Sequence, residues 1–187
     1  MKHLTTMALL LTFSVAGAYA HQAQVKMTFS GSFVRTAIDL QPDTVTDEED
    51  FAGSGTLGPF TFRNLRTDTT SPETSSTCTT GPYFRIVAGG GVFRSKDGSL
   101  LTVSLAEGSG CVDLAALEGH FTATYRITGG TGRFKNASGT LTLTYTAVPV
   151  VADASNNPVF LAATGEITGT VSGVARGDDD DDHGGRH

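Results

Sequence analysis

Tryptophan is absent from this chain of 187 residues, and cysteine occurs only at Cys78 and Cys111. Cationic clusters are missing too: 13 Lys and Arg stand against 19 Asp and Glu, for a formal net charge of −6. An acidic surface repels a phosphate backbone, so nucleic acid is excluded as a partner. Past the N-terminal region no stretch approaches the roughly 18 consecutive apolar residues that a membrane-spanning helix needs. The short motifs of chemistry are also lacking. There is no Gly-x-Ser-x-Gly elbow, no His-Glu-x-x-His, no phosphate loop and no Cys-x-x-Cys, so nothing local marks a hydrolase, a zinc peptidase, a nucleotide enzyme or a redox dithiol.

What is present is glycine, phenylalanine and a hydroxyl-rich filling, with 23 Gly and 11 Phe. That usage suits short strands and frequent turns. The N-terminus has Lys2, the apolar run Met7 to Val15 and the small triplet Ala18-Tyr19-Ala20. It reads as a secretory signal peptide over 1–20, which predicts a mature chain from His21 in the periplasm or outside the cell. A single domain then fills 21–176. Two cysteines in an oxidising space predict a Cys78–Cys111 disulfide, since no His or basic residue adjoins either to make a reactive thiol.

The period is two nearly throughout. Val25, Met27, Phe29 and Phe33 alternate with Lys26, Thr28, Ser30 and Ser32 in a first strand. Pro42 and the acidic run Asp47 to Asp50 predict a long loop from Arg35 to Asp50 with a solvated charged face, and Phe51 to Leu65 resumes extended structure. The acids are adjacent in sequence, unlike the two carboxylates of a glycosidase, which face each other across a cleft. Arg66 to Gly81 reads as a Ser/Thr-rich surface loop. Strands follow at Tyr83–Val87 and Val92–Lys96 with a break at Gly89 to Gly91, then a hairpin at Asp97-Gly98 and a strand from Leu100 to Ala106. Val112 to Glu118 is the one place for a short helix. Phe121, Ala123, Tyr125 and Ile127 share a face, as do Leu141, Leu143 and Tyr145, with Thr140 to Thr146 alternating outward. After a turn from Asp153 to Pro158 a last strand runs over 159–174. About eight strands at regular spacing indicate an all-β closed barrel or a sandwich.

The corner between two of these strands carries a resemblance. Gly129-Gly130-Thr131-Gly132-Arg133-Phe134, followed by Ala137 and Gly139, resembles the Gly-Gly-Thr-Gly-x-Phe-x-x-Ala-x-Gly signature of dirigent proteins and their allene oxide cyclase relatives. The resemblance implies a calycin-like, eight-stranded antiparallel closed barrel, often trimeric, with an apolar cavity. Dirigent members orient a reactive substrate made elsewhere, and cyclase members fold a fatty epoxide into a ring. Ser138 departs from the plant pattern, which has Arg there, and the plant pocket Asp and Arg residues find no match. Within the corner, Gly129, Gly130, Gly132 and Gly139 are expected to permit a tight turn, and Phe134 to cap the apolar layer.

Inward-facing residues would define any ligand pocket. Tyr125 and Tyr145 share the phase of Leu141 and Leu143, Arg85 shares that of Tyr83 and Val87, and Glu107 follows the Leu101 to Leu105 face. These four are the candidate pocket residues, for binding or orienting a small apolar or aromatic ligand without a cofactor. A cofactor-free cyclase or isomerase and a structural or cell-surface module are the competing readings. An interior space of roughly 300 Å³ or more favours a ligand, and a filled interior the structural role. His21 with His120 would serve a copper-dependent oxidase as a remote alternative. The tail 177–187, with five consecutive Asp, is read as solvated, with Asp180, His183 and His187 as weak metal candidates. Asn136-Ala137-Ser138 matches the glycosylation sequon.

Overall fold

The computed structural model describes residues 22–175, and all eight strands within them belong to one sheet. Its strands are β1 (Ala23–Arg35), β2 (Thr44–Gly55), β3 (Phe60–Thr69), β4 (Tyr83–Ser95), β5 (Leu100–Asp113), β6 (Glu118–Gly130), β7 (Ser138–Ala152) and β8 (Pro158–Ser172). Each pairs antiparallel with the next, and β8 returns to pair with β1, closing the barrel. Closure removes the unpaired edges that an open sheet would present. The segment 1–20 read as a signal peptide, His21 and the tail with Asp180, His183 and His187 lie outside the described residues.

The alternation builds the interior. In β1, Val25, Met27, Phe29 and Phe33 are buried between exposed Lys26, Thr28 and Ser30, and the same phase continues through Phe121, Ala123, Tyr125 and Ile127 of β6 and Leu141, Leu143 and Tyr145 of β7. Phenylalanine fills the space that tryptophan would otherwise take. Phe29 stacks on Phe51 with centroids 4.7 Å apart, and Phe62 stacks on Phe93 at 4.0 Å. Such offset ring pairs add to the gain from area alone.

The up-and-down order places the connections 36–43, 70–82, 114–117 and 153–157 at one end, hereafter the loop end. The connections 56–59, 96–99 and 131–137 lie at the other, closed end. There a single 3-10 turn, Gly132–Phe134, tucks Phe134 beneath the apolar layer at 2% exposure. Arg133 lies 4.6 Å over the Phe134 ring and donates to the Leu57 carbonyl and to Ser95 Oγ, tying three turns together.

Within the corner signature the glycines are unequal. A Cβ on Gly130 would stand 2.5 Å from the Phe134 carbonyl oxygen and 2.6 Å from that of Leu100, both backbone atoms that cannot swing away. Gly132 takes φ +55 and Gly139 φ +140, whereas a Cβ on Gly129 would meet nothing nearer than Thr102 Oγ1 at 3.4 Å. Gly129 is therefore dispensable to the turn, contrary to the expectation from the motif. In urea unfolding, Gly130→Ala is expected to cost more than about 2 kcal/mol and Gly129→Ala to stay within about 0.5 kcal/mol of the parent.

Four other expectations are corrected. The loop expected from Arg35 to Asp50 shrinks to 36–43, because β2 begins at Thr44 and takes in the whole acidic run. The loop expected from Arg66 starts only after Thr69. Gly89 to Gly91 do not break the chain: ladder partners in β3 hold all three within one strand, β4. No helix forms over Val112 to Glu118. Asp113 Oδ1 accepts the N–H groups of Ala115 and Ala116, closing a tight turn between β5 and β6. The disulfide is present, with Cys78 and Cys111 Cα atoms 5.5 Å apart.

Candidate functional site

Half-way along the barrel toward the loop end, the apolar filling gives way to charge. The inward phase of β2 runs Phe51, Glu49, Asp47, and that of β3 runs Phe62, Asn64, Arg66, Asp68. Register sets Asp47 directly opposite Arg66 and Glu49 opposite Asn64. Side chains directly opposite on one face of an antiparallel pair are close enough to interact, so the pairing itself assembles the cluster.

Arg66 is its centre, 1% exposed. Its Nη2 donates to Asp47 Oδ2 at 2.9 Å and Asp68 Oδ2 at 2.8 Å, and its Nη1 lies 3.1 Å from Glu49 Oε1 and donates to the Tyr145 hydroxyl. The Tyr145 hydroxyl in turn donates a hydrogen bond to Glu49 Oε1 at 2.6 Å. Asn64 Nδ2 reaches Glu49 Oε2 and the Tyr125 hydroxyl, each at 2.7 Å. The guanidinium is boxed by aromatic faces, 4.3 Å from the Phe121 centroid and 4.9 Å from that of Phe33. A delocalised planar cation suits this setting far better than an ammonium would.

Three carboxylates surround that one buried cation. Arg35, half-exposed at the mouth, approaches Asp47 at 3.4 Å and offsets part of the excess. Burial opposes the charge on Arg66, but Asp68, Tyr145, Glu49 and Asp47 together outweigh it and hold its pKa well above the ordinary value. Burial drives the Asp68 carboxyl up to about 6, against the pull of Arg66 and with the repulsion of Asp47 and Glu49. Burial likewise raises both tyrosines, with Glu49 adding to it, so each hydroxyl keeps its proton. Asn64 Oδ1, Arg66 Nε and Asp68 Oδ1 are buried with no hydrogen-bond partner.

Asp68 gives the fold a pH dependence of definite sign. Its folded pKa of about 6 exceeds its ordinary 3.8, so between those values the folded state holds the proton more tightly than the unfolded chain does. Stability therefore rises as pH falls from 6 toward 4 and declines as pH climbs through 6, by on the order of 3 kcal/mol. Melting temperatures taken from pH 4.5 to 7.5 should show this slope. Asp68→Asn, which removes the titrating group, should flatten it.

The four residues predicted to line a pocket separate into two places. Tyr125 and Tyr145 point inward and join the cluster. Arg85 and Glu107 do not join them. Arg85 pairs across β5 with Ser109 and Glu107 pairs with Thr124, on the face opposite to Phe121, Ala123 and Tyr125, so both look outward. Arg85 is 57% exposed and bound to Glu73 at 2.6 Å. A bulge between Leu105 and Glu107 shifts the phase that the apolar face of Leu101 to Leu105 had implied. His120 is exposed on the outer wall beside Glu118. Among the described residues no group of three or more His, Cys, Asp and Glu is placed to hold a metal ion.

Sequence reasoning missed Asp47, Glu49, Asn64, Arg66 and Asp68. A signal existed: counting by twos from Phe51 backward reaches Glu49 and Asp47, and counting forward from Phe60 and Phe62 reaches Asn64, Arg66 and Asp68.

Inside the barrel the rings of Phe29, Phe33, Phe51, Phe62, Phe121 and Tyr145 pack against one another. At the closed end a cavity of about 10 Å³ lies among Met27, Leu57, Phe60, Phe93 and Phe134. That is about room for one water molecule. On the outer wall a groove of about 220 Å³ is lined by Tyr83, Glu107, Gly108, Ser109, Thr122 and Thr124.

Fold and cluster together define a closed eight-stranded antiparallel barrel with an ionic core layer. No family model matches the chain, and no curated protein is similar to it in sequence. Among solved structures it is similar to the pterocarpan synthase dirigent protein PsPTS1, with 14% identity, a TM-score of 0.46 and coverage of 84% of this chain and 97% of that one. It is also similar to the pterocarpan synthase dirigent protein GePTS1, with 14% identity, a TM-score of 0.40 and coverage of 88% and 98%. Both are dirigent proteins, the family that the Gly129 to Gly139 signature resembles.

Proposed function

We propose that the protein is a secreted barrel that binds or orients a small, largely apolar ligand at its loop end, with the Arg66 cluster as the polar group that recognises it. The observation that carries this reading is a buried, charge-imbalanced set of side chains with Asp68 Oδ1, Arg66 Nε and Asn64 Oδ1 unpartnered. Stability does not call for such a set. Well-packed apolar residues of similar volume are often as stable as a buried ion cluster or more so, and displaced pKa values gather where proteins bind and react. The disulfide fits an oxidising compartment outside the cytoplasm. Because Arg66 is sealed from solvent, a ligand reaches it only if the loop end opens.

A second reading, the structural module, is favoured by the filled interior and its cavity of about 10 Å³. Two measurements separate them. Under the ligand reading, mass spectrometry of protein purified from its native source finds a small molecule released in stoichiometric amount on denaturation. The amides of Asn64 to Asp68 then exchange through a local opening well below the global unfolding free energy. Under the structural reading no molecule is released, and those amides exchange only by global unfolding.

A further inference from the structure

The groove on the outer wall lies apart from the Arg66 cluster. Between the pairs Arg85 with Ser109 and Gly90 with Ser104 no ladder pair joins 86–89 to 105–108, although the two strands stay packed side by side. The bulge at Ala106 falls in the same interval and turns Glu107 outward. Gly108 lines the groove with its backbone, since a Cβ there would turn the other way, toward the buried Ile86. Tyr83 stands at one wall, one strand from Cys111, to which it is directly opposed, and its backbone carbonyl accepts the Glu73 N–H at 2.8 Å. The disulfide ties β5 at Cys111 to the connection that leads into Tyr83.

The lining is chemically uniform in one respect. Tyr83, Ser109 and Thr122 offer hydroxyls that both donate and accept, Thr124 offers one already shared with Thr142 at 3.2 Å, Glu107 offers a carboxylate, and Tyr83 brings an aromatic ring. None of the ion pairs among the described residues includes Glu107, while its neighbour Arg85 is held by Glu73. A carboxylate free to accept two hydrogen bonds beside an aromatic face and a row of hydroxyls matches a pyranose ring, which has vicinal O–H donors at its edge and C–H groups on its face. The groove is below the size range of drug-like pockets, which suits a single ring. Its strand-mounted walls are rigid, and bulges often re-aim a side chain next to a site.

We propose that the outer face of β4, β5 and β6 binds one sugar ring of a neutral polysaccharide, stacked on Tyr83 and hydrogen-bonded to Glu107, Ser109, Thr122 and Thr124. Uronic acids are disfavoured, because their carboxylates would meet Glu107.

The test is an amide-shift titration of the isotope-labelled full chain with cellohexaose, xylohexaose, mannohexaose, chitohexaose and, for contrast, polygalacturonate. At least one neutral hexaose should move the amides of Tyr83, Glu107 to Ser109 and Thr122 to Thr124, with a Kd on the order of 1 mM. Glu107→Ala and Tyr83→Ala should each weaken binding by about tenfold or more, and Tyr83→Phe, which keeps the ring, should lose less. Shifts away from the groove must match the parent spectrum, which shows that the variants are folded. Silence at the groove amides with all four neutral sugars at about 20 mM overturns the proposal, as does stronger binding of polygalacturonate or unchanged affinity in Glu107→Ala.

Discussion

Arg66→Met is expected to lower the melting temperature at pH 7.5 by about 6 to 20 °C. Methionine fills much of the space between Phe33 and Phe121, so the loss is not chiefly one of volume. It leaves Asp47, Glu49 and Asp68 buried together without their shared cation. Removing one partner of a buried ion pair costs about 3 to 5 kcal/mol, and each kcal/mol is about 2 to 4 °C for a chain of this size. The deficit should narrow at pH 5, since carboxyls that have lost their cation can take up protons in the folded state and recover part of the stability. Arg66→Lys should not rescue the protein, because one ammonium cannot bridge three acids and lie flat between two rings. A melting temperature within about 2 °C of the parent at both pH values would show that the cluster carries no stability of its own.

The same cluster marks where the sequence could be read and where it could not. The strands built on uninterrupted apolar alternation, β1, β6, β7 and most of β8, were legible because Val25 to Phe33 or Leu141 to Tyr145 state their phase residue by residue. The corner was legible through its glycines, although only Gly130, Gly132 and Gly139 have a geometry that requires them. In β2 and β3 the phase is the same, but it passes from phenylalanine to acids and arginine. Asp47 to Asp50 supply four acids in succession, which hides the fact that alternate ones face inward and are compensated by Arg66 on the neighbouring strand. Burial of a charge depends on a partner that local sequence does not name, so composition argued for a solvated loop where tertiary pairing makes a core strand. Arg85 and Glu107 failed for a different reason. An irregularity in β4 that passes over Val87 opposite Thr67 and Asp68, and the bulge in β5 after Leu105, change the phase, and nothing in the residues around Val87 or Ala106 announces an extra position.

Replacing both cysteines, Cys78→Ser with Cys111→Ser, is expected to cost about 4 kcal/mol, the figure that the chain-entropy model gives for a closed loop of this length. The bond spans a sequence separation of 33 and takes in all of β4 and most of β5, so it restricts a large part of the unfolded chain. Its local effect is as definite. The connection 70–82 has few anchors besides Cys78: the Glu73 to Tyr83 bridge, the Arg85 to Glu73 pair, and the backbone bonds of Thr70 to Asp43 and of Val112 to Pro82. Just beyond Arg85 the ladder between β4 and β5 lapses, so the pairs of Tyr83 to Arg85 and the Val112 to Pro82 bond hold the start of β4 to β5 once the covalent tie is gone. Hydrogen exchange of the double variant should therefore quicken first in 70–85, while the amides of β7 and β8, remote from the bond, slow or quicken only with the global free energy. Guanidinium titrations give the size of the effect and exchange gives its place. Uniform acceleration across all eight strands would mean that the bond acts on the unfolded chain alone and does nothing to pin the loop end.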